Sequence, residues 1–226
     1  MKKILFGAVT SCLFLLSCSK SDDSTPAPAA DKFMTMSSGS TWNYAFTDNV
    51  TPANNYTYTL TSTNRDTTAA GKTYHVFTNS SAGSEYYNIT GSDYYRLQAF
   101  SLGTTDTTLE NLYLKDAAAA GTNWAQNYTI TAGGVPIGVT VTNIIQETGL
   151  TKTVGTNSYS NVIHVITTIS IPSLVLLGGT ITTDIHYYYA PKYGMIENDA
   201  KIDLVVPGTI NQHTDTQTKL VTATIL

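Results

Sequence analysis

Tyr56-Thr57-Tyr58-Thr59-Leu60-Thr61 is the stretch that decides the fold of this 226-residue chain. Apolar and polar residues alternate along it, so the tyrosines and the leucine share one face of a strand and the threonines share the other. This pattern is typical of an antiparallel strand with one face on a core and one in solvent. The composition agrees, because Thr, Val and Ile are frequent and the chain contains 15 Tyr.

Turn signals recur at short intervals on both sides of this stretch. They predict short strands joined as a meander, because parallel strands would need long helical connections between them. We therefore expect an all-β fold with little helix: a curved antiparallel sheet, arranged as a half-barrel, an open barrel or a sandwich-like meander. The signals are Ala70-Gly71, Ala82-Gly83, Gly91-Ser92-Asp93, Gly133-Gly134, Gly155-Thr156-Asn157, Pro191 to Gly194 and Pro207-Gly208.

Two later strands carry more specific predictions. Residues 162–171 are apolar on both alternating sets, so we expect this strand to be covered on both faces. In the next strand, Ile185, Tyr187 and Tyr189 fall on one face, which we assign to the core, and His186 and Tyr188 fall on the other.

Short motifs recur in the same order in the two halves of the chain. Gly39-Ser40-Thr41-Trp42 resembles Gly121-Thr122-Asn123-Trp124, and Gly71-Lys72-Thr73-Tyr74 resembles the segment from Gly155 to Tyr159. The pair Tyr86-Tyr87 then parallels Tyr187-Tyr188. These echoes are compatible with a duplicated β-unit, at about 39–115 and 121–206, or with chance matching in a chain rich in Thr and Tyr.

The N-terminus reads as a lipoprotein signal peptide. Lys2 and Lys3 precede a short apolar run that ends at Leu15-Leu16-Ser17-Cys18. The run is too short to span about 30 Å of hydrocarbon. We therefore expect removal of residues 1–17 and lipidation of Cys18, which anchors the protein to a membrane.

A polar tether is expected over residues 18–32, followed by a single all-β domain over residues 33–226. The tether has no large apolar residue, so it cannot collapse into a core. Lys20, Ser21, Asp22 and Asp23 resemble the acidic signal that exports some lipoproteins to the surface of the outer membrane. A plain solvated linker is the alternative interpretation of these four residues.

Charge and cysteine content exclude several classes of function. The net charge of −4 becomes −6 once Lys2 and Lys3 are removed, which argues against nucleic acid as a partner. The two cysteines are Cys12, in the signal peptide, and Cys18. The predicted domain therefore has no disulfide, thiol nucleophile or cysteine metal site.

A resemblance follows from these motifs taken together. The lipobox, the acidic tether, an early G-x-x-W-x-Y at Gly39 and a late Tyr188-Tyr189-Ala190-Pro191-Lys192-Tyr193-Gly194-Met195-Ile196 are similar to those of uncharacterised outer-membrane lipoproteins of Gram-negative bacteria. The resemblance implies a curved antiparallel sheet, in some members similar to half-barrels that carry lipoproteins or lipids, and an outer-membrane, lipid-anchored location that could be exposed at the cell surface. It implies no catalytic residues.

Motifs of catalysis or cofactor binding are missing from the sequence. There is no G-x-S-x-G, no phosphate-binding Gly-rich loop with a Lys and no H-E-x-x-H, so we expect neither an enzyme, a cofactor nor a metal. Asp184 with His186 and His213 with Asp215 are predicted surface pairs, and His164 a hydrogen-bonded core histidine.

Binding is the function that the sequence favours. The apolar connection after Pro172 contributes Leu174, Leu176 and Leu177, which with Tyr188 are our predicted contacts for an apolar or glycan ligand on the concave face of the sheet. The alternatives are an accessory subunit that docks on an outer-membrane protein, and a hydrolase.

Overall fold

The computed structural model describes residues 31–226, except residues 70, 103–104, 133–134 and 177. In this part of the chain one compact unit, Asp31–Leu226, contains a single twelve-stranded antiparallel sheet. The only helical elements described are a 3₁₀ turn, Pro52–Asn54, and one turn of helix, α1, Ser173–Leu176. The predicted all-β class is therefore confirmed. The strands are β1 (Thr41–Asp48), β2 (Tyr56–Ala69), β3 (Lys72–Asn79), β4 (Gly83–Thr90), β5 (Asp93–Leu102), β6 (Thr105–Lys115), β7 (Asn123–Ala132), β8 (Val135–Val154), β9 (Asn157–Ser170), β10 (Thr180–Ala190), β11 (Gly194–Val206) and β12 (Ile210–Thr224).

The strands pair in chain order, as a meander does. β1 and β12, the first and last strands, also pair with each other, from Thr41 opposite Thr224 to Asp48 opposite Thr216. The sheet therefore curves round on itself, and β6 and β7 are left as its two edges.

Side chains of β7 join the two edges across a junction that we call the seam. Trp124 Nε1 donates to the Leu112 carbonyl at 2.7 Å, and Tyr128 OH donates to the Glu110 carbonyl at 2.8 Å. Between them, Gln126 Nε2 donates to the Glu110 carbonyl at 3.1 Å, and its Oε1 accepts from the Leu112 amide at 2.7 Å. Residues spaced by two share one face of a strand, so one face of β7 satisfies the open edge of β6. The sheet is thus nearly closed into a barrel.

The barrel has a proximal end, where the described chain begins, and a distal end, which carries the β1–β2 and β9–β10 connections. Residues 32–36 close the proximal end. Phe33 and Met34 are buried there, Phe33 N donates to Tyr94 OH at 2.9 Å, and Met34 forms a β-bridge with Tyr193. The Lys192 amide donates to the carbonyl of residue 32 at 2.7 Å.

The core follows the inward faces of the strands. Trp42, Phe77 and Tyr87 form a run of aromatic contacts, with ring centroids 5.7 Å and then 5.0 Å apart. On β9, Val162, His164 and Val165 are all buried, so that strand is covered on both faces near its middle, as expected.

The echoed motifs fall on equivalent strands of two six-stranded halves, β1–β6 and β7–β12. The first pair of motifs lies on or just before β1 and β7, the second leads into β3 and β9, and the third lies on β4 and β10. This is the arrangement that a duplicated unit would produce. The predicted second unit, at about 121–206, covers β7–β11, and β12 follows it; the duplication stays a prediction.

Candidate ligand-binding cavity

A cavity of about 110 Å³ lies inside the barrel. Met34, Gly194 and Met195 contribute to its lining from the closed proximal side. The other walls come from inward residues of β1, β2, β4, β5, β6, β8, β9 and β10, so nearly the whole circumference of the barrel takes part. A site of this kind is fixed by strand register and not by loop conformation.

Tyrosines dominate the lining. Tyr44 and Tyr58 stack across the β1–β2 pair with centroids 5.1 Å apart, and Tyr113 and Tyr189 approach to 5.6 Å. Burial raises the pKa of each of these four phenols, so all of them stay protonated and uncharged at physiological pH. The tyrosines of the lining are Tyr44, Tyr58, Tyr87, Tyr113, Tyr187, Tyr189 and Tyr193.

Arg96 and Glu85 form the charged pair of the cavity. Arg96 Nη2 lies 3.0 Å from Glu85 Oε2, and the guanidinium carbon is 5.6 Å from the ring centroid of Tyr87. Glu85 also accepts hydrogen bonds from Asn79 Nδ2 and from Tyr87 OH, both at 2.6 Å. The Glu85 side chain is 11% exposed, whereas that of Arg96 is 37% exposed because it borders the cavity. The two charges cancel, so the lining that the described residues form is neutral.

Of the four residues predicted to bind ligand, the three that the structure describes, Leu174, Leu176 and Tyr188, do not line this cavity. Leu176 is 88% exposed on α1 at the distal end, and Leu174 is half-buried beside it, because the segment after Pro172 turns outward and is not folded over the sheet. Tyr188 lies on the outer face of β10, since its neighbours Tyr187 and Tyr189 take the inner face. Leu177 lies outside the described residues, as do Cys18 and the four predicted export-signal residues Lys20, Ser21, Asp22 and Asp23.

The outer face of β8–β10 carries a row of titratable side chains. His164 Nε2 lies 2.8 Å from His186 Nδ1, with one nitrogen donating to the other, and His186 Nε2 lies 2.7 Å from Asp184 Oδ1. Glu147 Oε2 is 3.7 Å from His164 Nδ1, and the Tyr188 ring stacks on His164 at 4.3 Å. Burial lowers the pKa of His164, and the neighbouring His186 lowers it further. As expected, His164 is a buried, hydrogen-bonded histidine.

One predicted surface pair is replaced by another. His213 Nδ1 lies 2.5 Å from Asp203 Oδ1, because Asp203 is directly opposite it on β11. Asp215, which shares the face of His213, pairs with Lys201 instead, at 3.8 Å. In residues 31–226, outside the gaps, no group of three or more His, Cys, Asp or Glu is placed to hold a metal ion.

The sequence did contain a signal for the residues that the predictions missed. Glu85 and Arg96 sit two residues from the inward Tyr87 and Tyr94, on β4 and β5, so the alternation assigns both charged side chains to the interior. An inward charge on a strand indicates either a buried ion pair or a site, and here it is a pair that borders a cavity.

No protein-family model matches the chain, and no curated protein matches it significantly. A crystal structure from Parabacteroides distasonis, provisionally described as a lipoprotein, is similar at 11% identity with a TM-score of 0.46, over 86% of this chain and 99% of that one. Among the described residues no helix is long and apolar enough to cross a membrane.

Proposed function

We propose that the protein is a non-enzymatic, lipid-anchored binding protein of the outer membrane, and that its barrel interior holds a small organic ligand. The observation that carries the binding role is the tyrosine-lined cavity, with its neutral Arg96–Glu85 pair. Concave sites with aromatic walls and a few placed polar groups are typical of small-molecule binding.

The chemistry of the lining favours binding over catalysis. Glu85 is the carboxylate of the lining, and three donors already engage it, which leaves it poorly suited to transfer protons. Thr167, the hydroxyl on β9, donates to Asn143 Oδ1 at 2.6 Å and has no adjacent base in the lining.

The anchor is supported by the sequence around Cys18, and its test is direct. Cells that express the full chain are grown with an alkyne-tagged fatty acid, and the label on the protein is measured in purified outer membranes. We expect label on the natural chain and none on Cys18→Ser. A natural chain that is unlabelled and released from the membrane would contradict the anchor.

The ligand is tested on the lipidated protein extracted from its own membranes, by native mass spectrometry. We expect a bound small molecule that is lost from Gln98→Trp, because Gln98 lines the cavity and an indole would fill it. Thr168→Trp is the matched control, since Thr168 is exposed and lies one residue from the inward Thr167. Binding that survives in Gln98→Trp would refute the cavity as the site.

A further inference from the structure

The inner face of β8–β11 changes character toward the distal end. Asn143 and Thr167 are opposite each other and line the cavity, and the next rung outward pairs Val141 with Ile169. Further members of the same face are half-buried, and we call the set the aliphatic zone: Val139, Val141, Ile169, Ile181, Ile202 and Leu204. Four residues separate Asn143 from Val139, so the zone extends about 13 Å beyond the cavity.

Aromatic rings continue the opposite wall in the same direction. Phe46 and Tyr56 form the rung distal to the Tyr44–Tyr58 rung, and their rings stack with centroids 4.8 Å apart. Tyr56 is 45% exposed, whereas Tyr44 is 3% exposed. On this wall exposure therefore rises toward the distal end, and both walls carry apolar side chains there.

The cavity itself disfavours a charged group. Arg96 and Glu85 neutralise each other and the phenols are uncharged, so an added anion or cation would be buried without a counter-charge. Besides this pair, the polar groups of the lining include the phenols and the side-chain amides of Gln98, Asn111 and Asn143. A hydroxyl group suits these phenols and amides, because it accepts one hydrogen bond and donates another.

We infer that the ligand is an alkyl amphiphile with an uncharged, hydroxyl-bearing headgroup. The headgroup occupies the tyrosine cavity of about 110 Å³. The alkyl chain lies along the aliphatic zone and leaves past Phe46 and Tyr56. This inference rests on the proposed binding function and adds the chemical class and the orientation of the ligand.

The headgroup is tested with probes that share an eight-carbon chain. Octyl glucoside, octanoate and octyltrimethylammonium are titrated by calorimetry, below their micelle concentrations, into the lipidated protein in nanodiscs, with empty nanodiscs as the baseline. We expect octyl glucoside to bind at least about tenfold more tightly than either ion, which corresponds to about 1.4 kcal/mol. Equal or tighter binding of octanoate or octyltrimethylammonium would overturn the inference.

The tail is tested with two neighbouring substitutions on β11. Leu204→Ser removes an aliphatic side chain from the inner face, and Val205→Ser removes one from the outer face, where Val205 is 37% exposed. We expect Leu204→Ser to weaken octyl glucoside roughly fivefold and Val205→Ser to leave the affinity unchanged. Equal affinities in both variants would overturn the assignment of the tail.

The outcomes separate this inference from the proposed function. If Gln98→Trp abolishes the binding of octyl glucoside but Leu204→Ser leaves it unchanged, the cavity remains a binding site. The inference that an alkyl chain lies along the aliphatic zone is then refuted. If none of the three probes binds and no molecule copurifies with the protein, the binding function itself fails.

Discussion

The seam gives the sharpest test of how the barrel is closed. Gln126→Leu keeps a side chain of similar size but removes both hydrogen bonds that Gln126 makes across the seam, at 3.1 Å and 2.7 Å. The Glu110 carbonyl keeps Tyr128 as a donor, whereas the Leu112 amide loses the Gln126 Oε1 acceptor. The substitution therefore acts on one backbone group of β6 that leucine cannot satisfy.

The expected loss follows from these two bonds. Each net hydrogen bond contributes about 1 kcal/mol, and an unsatisfied amide adds to the cost, so the free energy of unfolding should fall by about 2–3 kcal/mol. The leucine side chain offsets part of this loss if it packs against the β6 edge. The matched control is Asn127→Leu on the opposite face of β7, where one exposed bond from Thr140 is lost and the change should stay within about 0.5 kcal/mol.

Two measurements decide the question. Denaturant unfolding followed by tryptophan fluorescence gives the global change, and hydrogen exchange with peptide-level mass spectrometry gives the local one. We expect faster exchange in the peptide that contains the Leu112 amide in Gln126→Leu, and wild-type exchange of that peptide in Asn127→Leu. If Gln126→Leu unfolds like the wild type and exchange at Leu112 is unchanged, the seam does not hold the edges together.

Three further predictions concern single residues. Gly194 has a φ of +68°, and a Cβ added there would lie 3.6 Å from the Phe33 carbonyl, which is an ordinary contact. Gly194→Ala should therefore lower the free energy of unfolding only by the backbone penalty of about 1–2 kcal/mol. Gly138→Ala, in a strand and with no atom near the added Cβ, is the control and should change the thermal unfolding transition hardly at all. Burial lowers the pKa of His164 below the unfolded value of about 6.5, so its contribution to stability is present above that pH and is lost as the pH falls. A plot of the free energy of unfolding against pH, from pH 8 to 5, should therefore have a smaller slope in His164→Gln than in the wild type. An identical slope would contradict this prediction. Leu176→Ser should change neither the melting temperature nor ligand binding, because Leu176 is 88% exposed and outside the cavity.

The alternation of apolar and polar residues along the strands predicted most of the fold. It assigned Tyr187 and Tyr189 to the interior and Tyr188 to the exterior, and the structure agrees because residues 185–189 pair without a register shift on the β9 side. Turn residues predicted the meander, because each reversal of the chain needs a backbone conformation that glycine or proline adopts readily.

The cavity depends on information that alternation does not contain. Tyr44 and Tyr189 lie on strands separated by β12 and β11, and only the curvature of the sheet brings their rings to the same space. The place of the apolar segment after Pro172 was not evident from the sequence either, because Leu174 and Leu176 lie on a four-residue helix at the distal end and outside the cavity lining. The hydrogen bonds of the seam could not be predicted from the sequence either, because they join side chains of one strand to backbone groups of another.

Because β1 pairs with β12, the same twelve strands can form the sheet when the chain starts at a different loop. Thr41 is opposite Thr224, and the Leu226 amide donates to Ser40 Oγ at 3.1 Å, so the two ends of the barrel sequence are neighbours. A circular permutant that fuses these ends through a short linker and opens the chain between β6 and β7 would preserve every backbone ladder. Its new termini would flank the seam, where an inserted reporter domain would sense separation of the two edges.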